Sequence, residues 1–573
     1  MSFVFFWFFR KKKEPPSPQK KREEKTADKD IFFLENKACL KHLHATNPRD
    51  DKQRIEQAKG GLLHDCYKWI LANDDFQRWQ NGQNQLLWIR GDPGKGKTML
   101  LCGVINELKR LPATNTSYFF CQATNARINT ATAVLRGLIY LLIDRRPSLI
   151  SHIRDKYDRA GKQLFEDANS WIALSDIFTN TLQDLGLGTT YLVIDALDEC
   201  IMGLSDLMRL VLQTSTTNSR VKWVVSSRNW PDIEKAFSKA QNFGVSLELN
   251  EKSVSTAVAT YIKFKVETLA KDNDYDLDAH DIVQSYLTHN AGGTFLWVAL
   301  VCQELAELSA WAVDEERLAM FPPGLEALYK RMMDQIDISR HPQLCKSILA
   351  TLSVIYRPIT LDELPSLVDI PLRAVGKDKA LSEIIGTCGS FLSLRDRTVF
   401  FTHQSAKDFL TKEESQTIFP DGEEIEHQAI LARSIKAMSQ ILHKDIYSLL
   451  HPGISIEEVK GKCPNPNPLA PIQYACVHWI EHFREAQNAS DNVIISTFLR
   501  KHFLHWFEAL SILESTSQGV LALSKILSLL EVSSHVLQKR SHILIGQEIG
   551  TKVPTCCPGS RHASICSFLQ GHN

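Results

Sequence analysis

Between residues 81 and 250 short apolar runs alternate with helical patterns, and each run stops at a residue able to do chemistry. The first run is Leu86-Leu87-Trp88-Ile89. A glycine-rich turn follows, and then Met99, Leu100, Val104, Ile105 and Leu108 recur at helical spacing. A second strand is predicted over Thr116–Cys121, and helices from about 128 to 185. A third strand, Thr190–Ile194, runs into Asp195, and a fourth, Val221–Ser227, runs into Arg228. A short strand over Val245–Leu249 is expected to close the sheet. Strands alternating with helices predict a parallel sheet with helices on both faces. In such sheets ligands bind at the C-terminal ends of the strands, where these motifs fall.

Around this core the pattern changes. Residues 1–30 read as a disordered basic tail, and 31–80 as a helical lead-in to the core. Residues 251–336 turn wholly helical. In 337–415, Thr360 with Glu363 reads as a capping box that would start a helix around LDELPSLVDI. A hairpin follows, Gly389–Leu394 and Thr398–His403 about an Arg-Asp-Arg turn. Helices plus such a hairpin suggest a winged helix. Its expected recognition helix is acidic and apolar, which argues against contact with DNA. Residues 416–545 read as further helices and 546–573 as a disordered tail. No repeat of 20–50 residues is present.

Composition narrows the partners. The 573 residues carry 66 Lys+Arg and 66 Asp+Glu, so there is no basic excess to bind nucleic acid in bulk. The 13 cysteines are an odd number without a C-x-x-C pair, and Cys556-Cys557 is the one close pair. This usage fits reduced thiols in the cytosol or nucleus, not disulfides or zinc. The N-terminal MSFVFFWFF precedes its basic residues, the reverse of a signal peptide, and is too short to span a bilayer of about 30 Å. It reads as a tail, with an interfacial anchor as the alternative. A membrane partner is not expected.

The turn carries the strongest chemistry. Gly91-Asp92-Pro93-Gly94-Lys95-Gly96-Lys97-Thr98 fits the phosphate-binding pattern G-x-x-x-x-G-K-[ST] at every fixed position. Its glycines free the backbone to come close to a ligand, and its amides, with Met99 opening the helix, form an anion nest. Lys97 can reach β- and γ-phosphates, and the Thr98 hydroxyl can ligate Mg²⁺. Asp195 would hold the same Mg²⁺, directly or through water, while Asp198 or Glu199 would orient or deprotonate an attacking water. Arg228 would report on the γ-phosphate, or else cap the helix at Pro231.

With these three motifs the chain resembles the NACHT branch of the STAND NTPases, closest to fungal proteins of the heterokaryon-incompatibility type. The likeness runs over about 35–540 through RIEQAKGGLLHDCYKWIL, GDPGKGKTMLLCG, YLVIDALDEC, WVVSSRNWPDIE, GTFLWVAL, FPPGLEALYKRM, FTHQSAKDFL and IQYACVHWIEHF. It implies a signalling switch in fungal non-self recognition, innate immunity or programmed cell death. ADP would be clamped between core, lid and winged helix, and exchange for ATP would open the chain and let it self-associate or join related NACHT proteins in the cytoplasm. The resemblance assigns His403 to the ADP β-phosphate, where protonation would tighten the contact. The lid segment Gly292–Trp297 lacks the proline that relatives place on adenine. The resemblance also makes this a slow ATPase and prefers ATP to GTP. A remodelling ATPase of brisk turnover, or an inactive scaffold regulating full-length relatives, are the alternatives.

Overall fold

A computed structural model describes residues 36–167, 169–238, 243–450, 454, 456–486 and 491–523. The expectations for 1–30, for Cys556-Cys557 and for 546–573 lie outside the described residues.

The core is a five-stranded parallel sheet: β1 (Leu86–Arg90), β2 (Asn115–Phe120), β3 (Thr190–Asp195), β4 (Val221–Ser227) and β5 (Phe243–Ser246). Their order is β2-β3-β4-β1-β5. The strands read as continuous apolar runs because both faces are covered. Leu87 and Ile89 pack with Leu101, Val104, Ile105 and Leu108 of the helix Lys97–Arg110. Leu86 and Trp88 point the other way, toward Val134 and Leu138 of the helix Ala131–Arg145 and Phe178 of the helix Ser170–Gln183. β5 lies at the edge beside β1 and ends at Ser246, just short of the expected strand end.

The lead-in packs tightly on this core at Gly103. Tyr67 lies so close to Gly103 that a Cβ there would fall 2.3 Å from the ring. Its hydroxyl donates to the Glu107 carboxylate at 3.0 Å. Glycine in mid-helix costs about 1 kcal/mol against alanine, and here it makes room for the lead-in.

Beyond the sheet come the helices Glu251–Asp272, Leu277–Asn290, Phe295–Ala306 and Leu325–Asp337. The helix Pro342–Val354 leads into β6 (Ile359–Thr360), which joins β7 (Leu392–Arg395) and β8 (Thr398–Phe401) in an antiparallel sheet ordered β6-β8-β7. Asp396 and Arg397 both have positive φ, 46° and 61°, so β7 and β8 are joined by a tight two-residue turn. The helix Gln404–Lys412 follows.

One expectation here is corrected. LDELPSLVDI is not a helix: it makes only a short 3-10 turn over Leu364–Ser366, and the helix before the hairpin is Asp378–Gly386. The capping box itself forms, with Thr360 N donating to Glu363 at 2.8 Å and Glu363 N to Thr360 Oγ1 at 3.4 Å. Pro365 fits a helix only in its first turn. The Glu363 carboxylate is meanwhile drawn into a buried ion pair with Arg357 and accepts the Tyr474 N–H at 2.8 Å. Leu361, Leu364 and Leu367 are buried with it, so this segment is core.

The helices Glu423–Ile441, Gln473–Ala486 and Asp491–Ile512 pack around Trp479 and Trp506, whose rings meet edge-on at 5.6 Å. Among the described residues no helix is long and apolar enough to cross a membrane.

Candidate functional site

At the C-terminal ends of β1, β3 and β4 lies a cavity of about 280 Å³. Its wall takes in Pro93, Gly94, Lys95, Gly96, Lys97, Thr98 and Met99, then Asp195, Asp198 and Glu199, then Arg228 and His403. Twelve of the expected site residues thus face one space. Gly91 and Asp92 do not line it. Gly91 is buried against Leu247, and Asp92 is exposed, its N–H donating to Glu248 at 2.7 Å and its carboxylate accepting from Asn229 at 3.1 Å.

The loop is built as its glycines dictate. Gly94 and Gly96 sit at φ 81° and 85°, in the left-handed region that side chains disfavour. They also make room for a neighbour. A Cβ on Gly94 would lie 2.9 Å from Leu296 Cβ and Thr294 Cγ2, and one on Gly96 2.8 Å from the Phe295 ring. The lid segment is therefore seated directly on the loop. Leu296 N donates to Gly94 O at 3.3 Å, and Lys95 Nζ donates to Gly292 O at 2.9 Å.

The acidic side is held by a network. Ser226 Oγ donates to Asp195 at 2.6 Å and accepts the Ala196 N–H at 2.9 Å, which fixes Ala196 at a positive φ of 52°. Such strain in a non-glycine residue gathers at functional sites. Asp195 is also hydrogen-bonded to Thr98, and its carboxyl is raised above its usual value, mainly by burial. Asp198 accepts the Arg228 N–H at 3.0 Å and pairs with its guanidinium at 3.2 Å. Arg228 also pairs with Asp408, on the helix that follows the hairpin. Burial works against the Arg228 charge, but Asp408 and Asp198 outweigh it and hold its pKa above the usual value.

Glu199 accepts the Ala123 N–H at 2.9 Å. Burial, then the charge of Asp198, push its carboxyl up from 4.5 to about 8. These surroundings favour its protonated form near neutral pH. This has a consequence for stability. Between 4.5 and about 8 the unfolded chain releases that proton and the folded chain keeps it, so this group lowers stability as pH rises through that window. Glu199→Gln is expected to be more stable than wild type at pH 8 by on the order of 1–3 kcal/mol. Denaturant midpoints should show the gap closing toward pH 4.5. A constant gap would place the carboxylate in an ionised state throughout.

His403 caps the helix Gln404–Lys412, its Nδ1 accepting the Ser405 N–H at 3.1 Å. That bond leaves Nε2 as the N–H donor. Burial, then the like charges of Lys59, Arg228 and Lys97, keep its pKa well below the usual histidine value. These surroundings favour the neutral imidazole, a form that can still donate Nε2–H to a phosphate oxygen.

Several wall residues are given no role by the sequence, although Lys59, Leu62, Leu63 and Phe295 lie inside RIEQAKGGLLHDCYKWIL and GTFLWVAL. The lead-in gives Lys59, Leu62 and Leu63, the loop after β2 gives Gln122, and the lid gives Tyr261 and Phe295. Asp408 and Ser226 stand inside FTHQSAKDFL and WVVSSRNWPDIE, but only the fold shows what each one holds.

Residues 65–228 match the family described as "Nephrocystin 3, N-terminal". Over 517 residues the chain is 49% identical to vegetative incompatibility protein HET-E-1 of Podospora anserina, taking in 86% of this chain and 38% of that protein. The chain thus spans well under half of that relative's length. Among solved structures, the Walker-type ATPase of Pyrococcus abyssi aligns at 13% identity and a TM-score of 0.30, over 58% of this chain and 93% of that one. C. elegans PCH-2 aligns at 15% identity and a TM-score of 0.25, over 50% of this chain and 72% of that one. By its motifs, its sheet and its likeness to HET-E-1, the chain has the parallel α/β core of the P-loop NTPase fold and is NACHT-like, similar to a fungal vegetative incompatibility protein.

Proposed function

We propose that the chain is a nucleotide-operated signalling switch, closed on ADP and opened by ATP. One observation carries this reading. The lead-in, the sheet, the lid and the hairpin all line the same cavity, so its occupant decides whether they stay together. The phosphates would lie on the Gly94–Met99 amides and Lys97, and the base at the apolar end, near Leu63, Tyr261 and Phe295. Arg228 and the Nε2–H of His403 would reach the phosphates from the core and the hairpin helix. The bonded pair Thr98 and Asp195 offers the hard oxygens that Mg²⁺ prefers, and would hold it directly or through water. When bound, that ion would supply positive charge to offset that of the phosphates.

Hydrolysis in this state would be slow. Burial favours the protonated form of Glu199, and Asp198 is engaged by Arg228, so both carboxylates would be weak at activating water. This favours a switch over a remodelling ATPase, and the intact site argues against an inactive scaffold. On this reading the residues 337–415 act as a winged helix that clamps the closed form. The open form self-associates, or joins related proteins, in cytoplasmic non-self recognition, innate immunity or programmed cell death.

The test is the nucleotide content and mass of the purified chain. A monomer releasing a stoichiometric amount of ADP on denaturation, and growing in light scattering after exchange to a slowly hydrolysed ATP analogue, is expected. An empty chain that turns ATP over many times per second at constant mass would overturn the switch.

A further inference from the structure

The cavity holds more positive charge than its own residues balance. Six lysines and arginines line it, Arg54, Lys59, Lys95, Lys97, Arg228 and Arg395, against the three carboxylates of Asp195, Asp198 and Glu199. Four of the six cations have partners. Arg54 pairs with Asp51 at 3.2 Å, and Lys95 donates to Gly292 O. Lys97 donates to the Gly91 and Asp92 carbonyls, and Arg228 is held by Asp198 and Asp408. The side chains of Lys59 and Arg395 have no hydrogen bond or ion pair among the described residues.

These two come from distant segments. Lys59 ends the lead-in helix Pro48–Ala58, and Arg395 ends β7 at the hairpin turn. Both line the cavity wall, as does His403 on the far side of the hairpin. Each feels mainly charge of its own sign. Burial, then Arg395, push the Lys59 ammonium down to about 8. Burial, then Arg54, lower Arg395. Two half-buried cations turned to one space with no anion between them repel each other and lose hydration without return. An anion between them would offset both costs.

We propose that Lys59 and Arg395 form an anion clamp that holds a phosphate of the nucleotide bound in the cavity, so that the hairpin stays docked on the lead-in only while that phosphate is present. The clamp rests on the nucleotide reading above and adds to it a ligand contact outside the P-loop. It also gives the lead-in a purpose that packing against Gly103 does not, because one anion joins segments more than three hundred residues apart in sequence.

The test uses the full chain and the variants Lys59→Met, Arg395→Met, Lys59→Arg and Arg395→Lys. Affinities are measured for ADP, adenosine and pyrophosphate. Each methionine variant is expected to lose about tenfold or more in ADP and pyrophosphate affinity, the usual effect of one charge-assisted contact. Adenosine affinity should stay at the wild-type value, and the charge-keeping variants should recover most of the loss. A structural effect alone would weaken adenosine and ADP together, and would overturn the clamp. So would wild-type ADP affinity in both methionine variants. A wild-type chain that binds neither ADP nor pyrophosphate would overturn the nucleotide reading and the clamp with it.

Discussion

Replacing Lys97 by alanine is expected to weaken ADP and ATP binding by about a hundredfold or more. Lys97 opens the helix Lys97–Arg110, and its side chain folds back over the loop instead of reaching to solvent. Its Nζ donates to Gly91 O at 2.5 Å and Asp92 O at 2.9 Å. The ammonium is therefore already ordered beside the loop, and binding a phosphate there costs little further ordering. Burial lowers its pKa, while Asp198 and Asp195 counter that and favour the charge. Alanine removes the charge and leaves the nest amides in place, so the loss reports on the ammonium itself. Lys97→Arg is expected to fare almost as badly, because a planar guanidinium does not fit a cradle shaped for a compact ammonium. Titration calorimetry on folded variants checks this. Affinity within about threefold of wild type in Lys97→Ala would remove the loop from the site.

Much of this site is legible in the sequence because its parts are local. A strand that ends in Asp195, a strand that ends in Arg228, and a glycine turn before a helix each sit within one short window. The sheet follows from their alternation, and parallel pairing then brings the strand ends together. What the sequence hides is pairing across distance. Nothing near Gly94 or Gly96 says that Thr294, Phe295 and Leu296 need their missing side chains, since the lid lies some two hundred residues on. Nothing near Arg228 points to Asp408. The misplaced helix at LDELPSLVDI has the same cause. Its local signals are sound, but Glu363 is engaged by Arg357 and by the backbone of Tyr474, and this tertiary demand outweighs local propensity. The ionisation of Glu199 and His403 is likewise set by burial, which no residue pattern carries.

The second large effect is expected at Asp408, the partner of Arg228 on the far side of the cavity. Asp408→Asn keeps the shape and removes the charge. The pair is mostly screened from water, with side-chain exposures of 16% for Arg228 and 24% for Asp408. Breaking a fully buried pair costs about 3–5 kcal/mol; discounted for this exposure, about 1–3 kcal/mol is expected. Arg228 keeps Asp198, which is only 3% exposed, so the core side should stay intact and the loss should fall on the docking of the helix Gln404–Lys412. That helix also carries His403 at its cap and is anchored by Ser405 to Tyr329 at 2.9 Å. A weaker Asp408 contact thus loosens the segment that would cover the phosphates. Release of a fluorescent ADP from Asp408→Asn should be about tenfold faster or more, since each 1.4 kcal/mol is a factor of ten. Asp408→Glu should recover part of the difference, because the carboxylate returns at a slightly wrong reach. Melting of the sheet should move little, as no strand residue loses a partner. Unchanged release from a folded Asp408→Asn would mean that the Arg228 pair does not hold the hairpin helix, whose docking would then rest on the Ser405–Tyr329 bond and on packing.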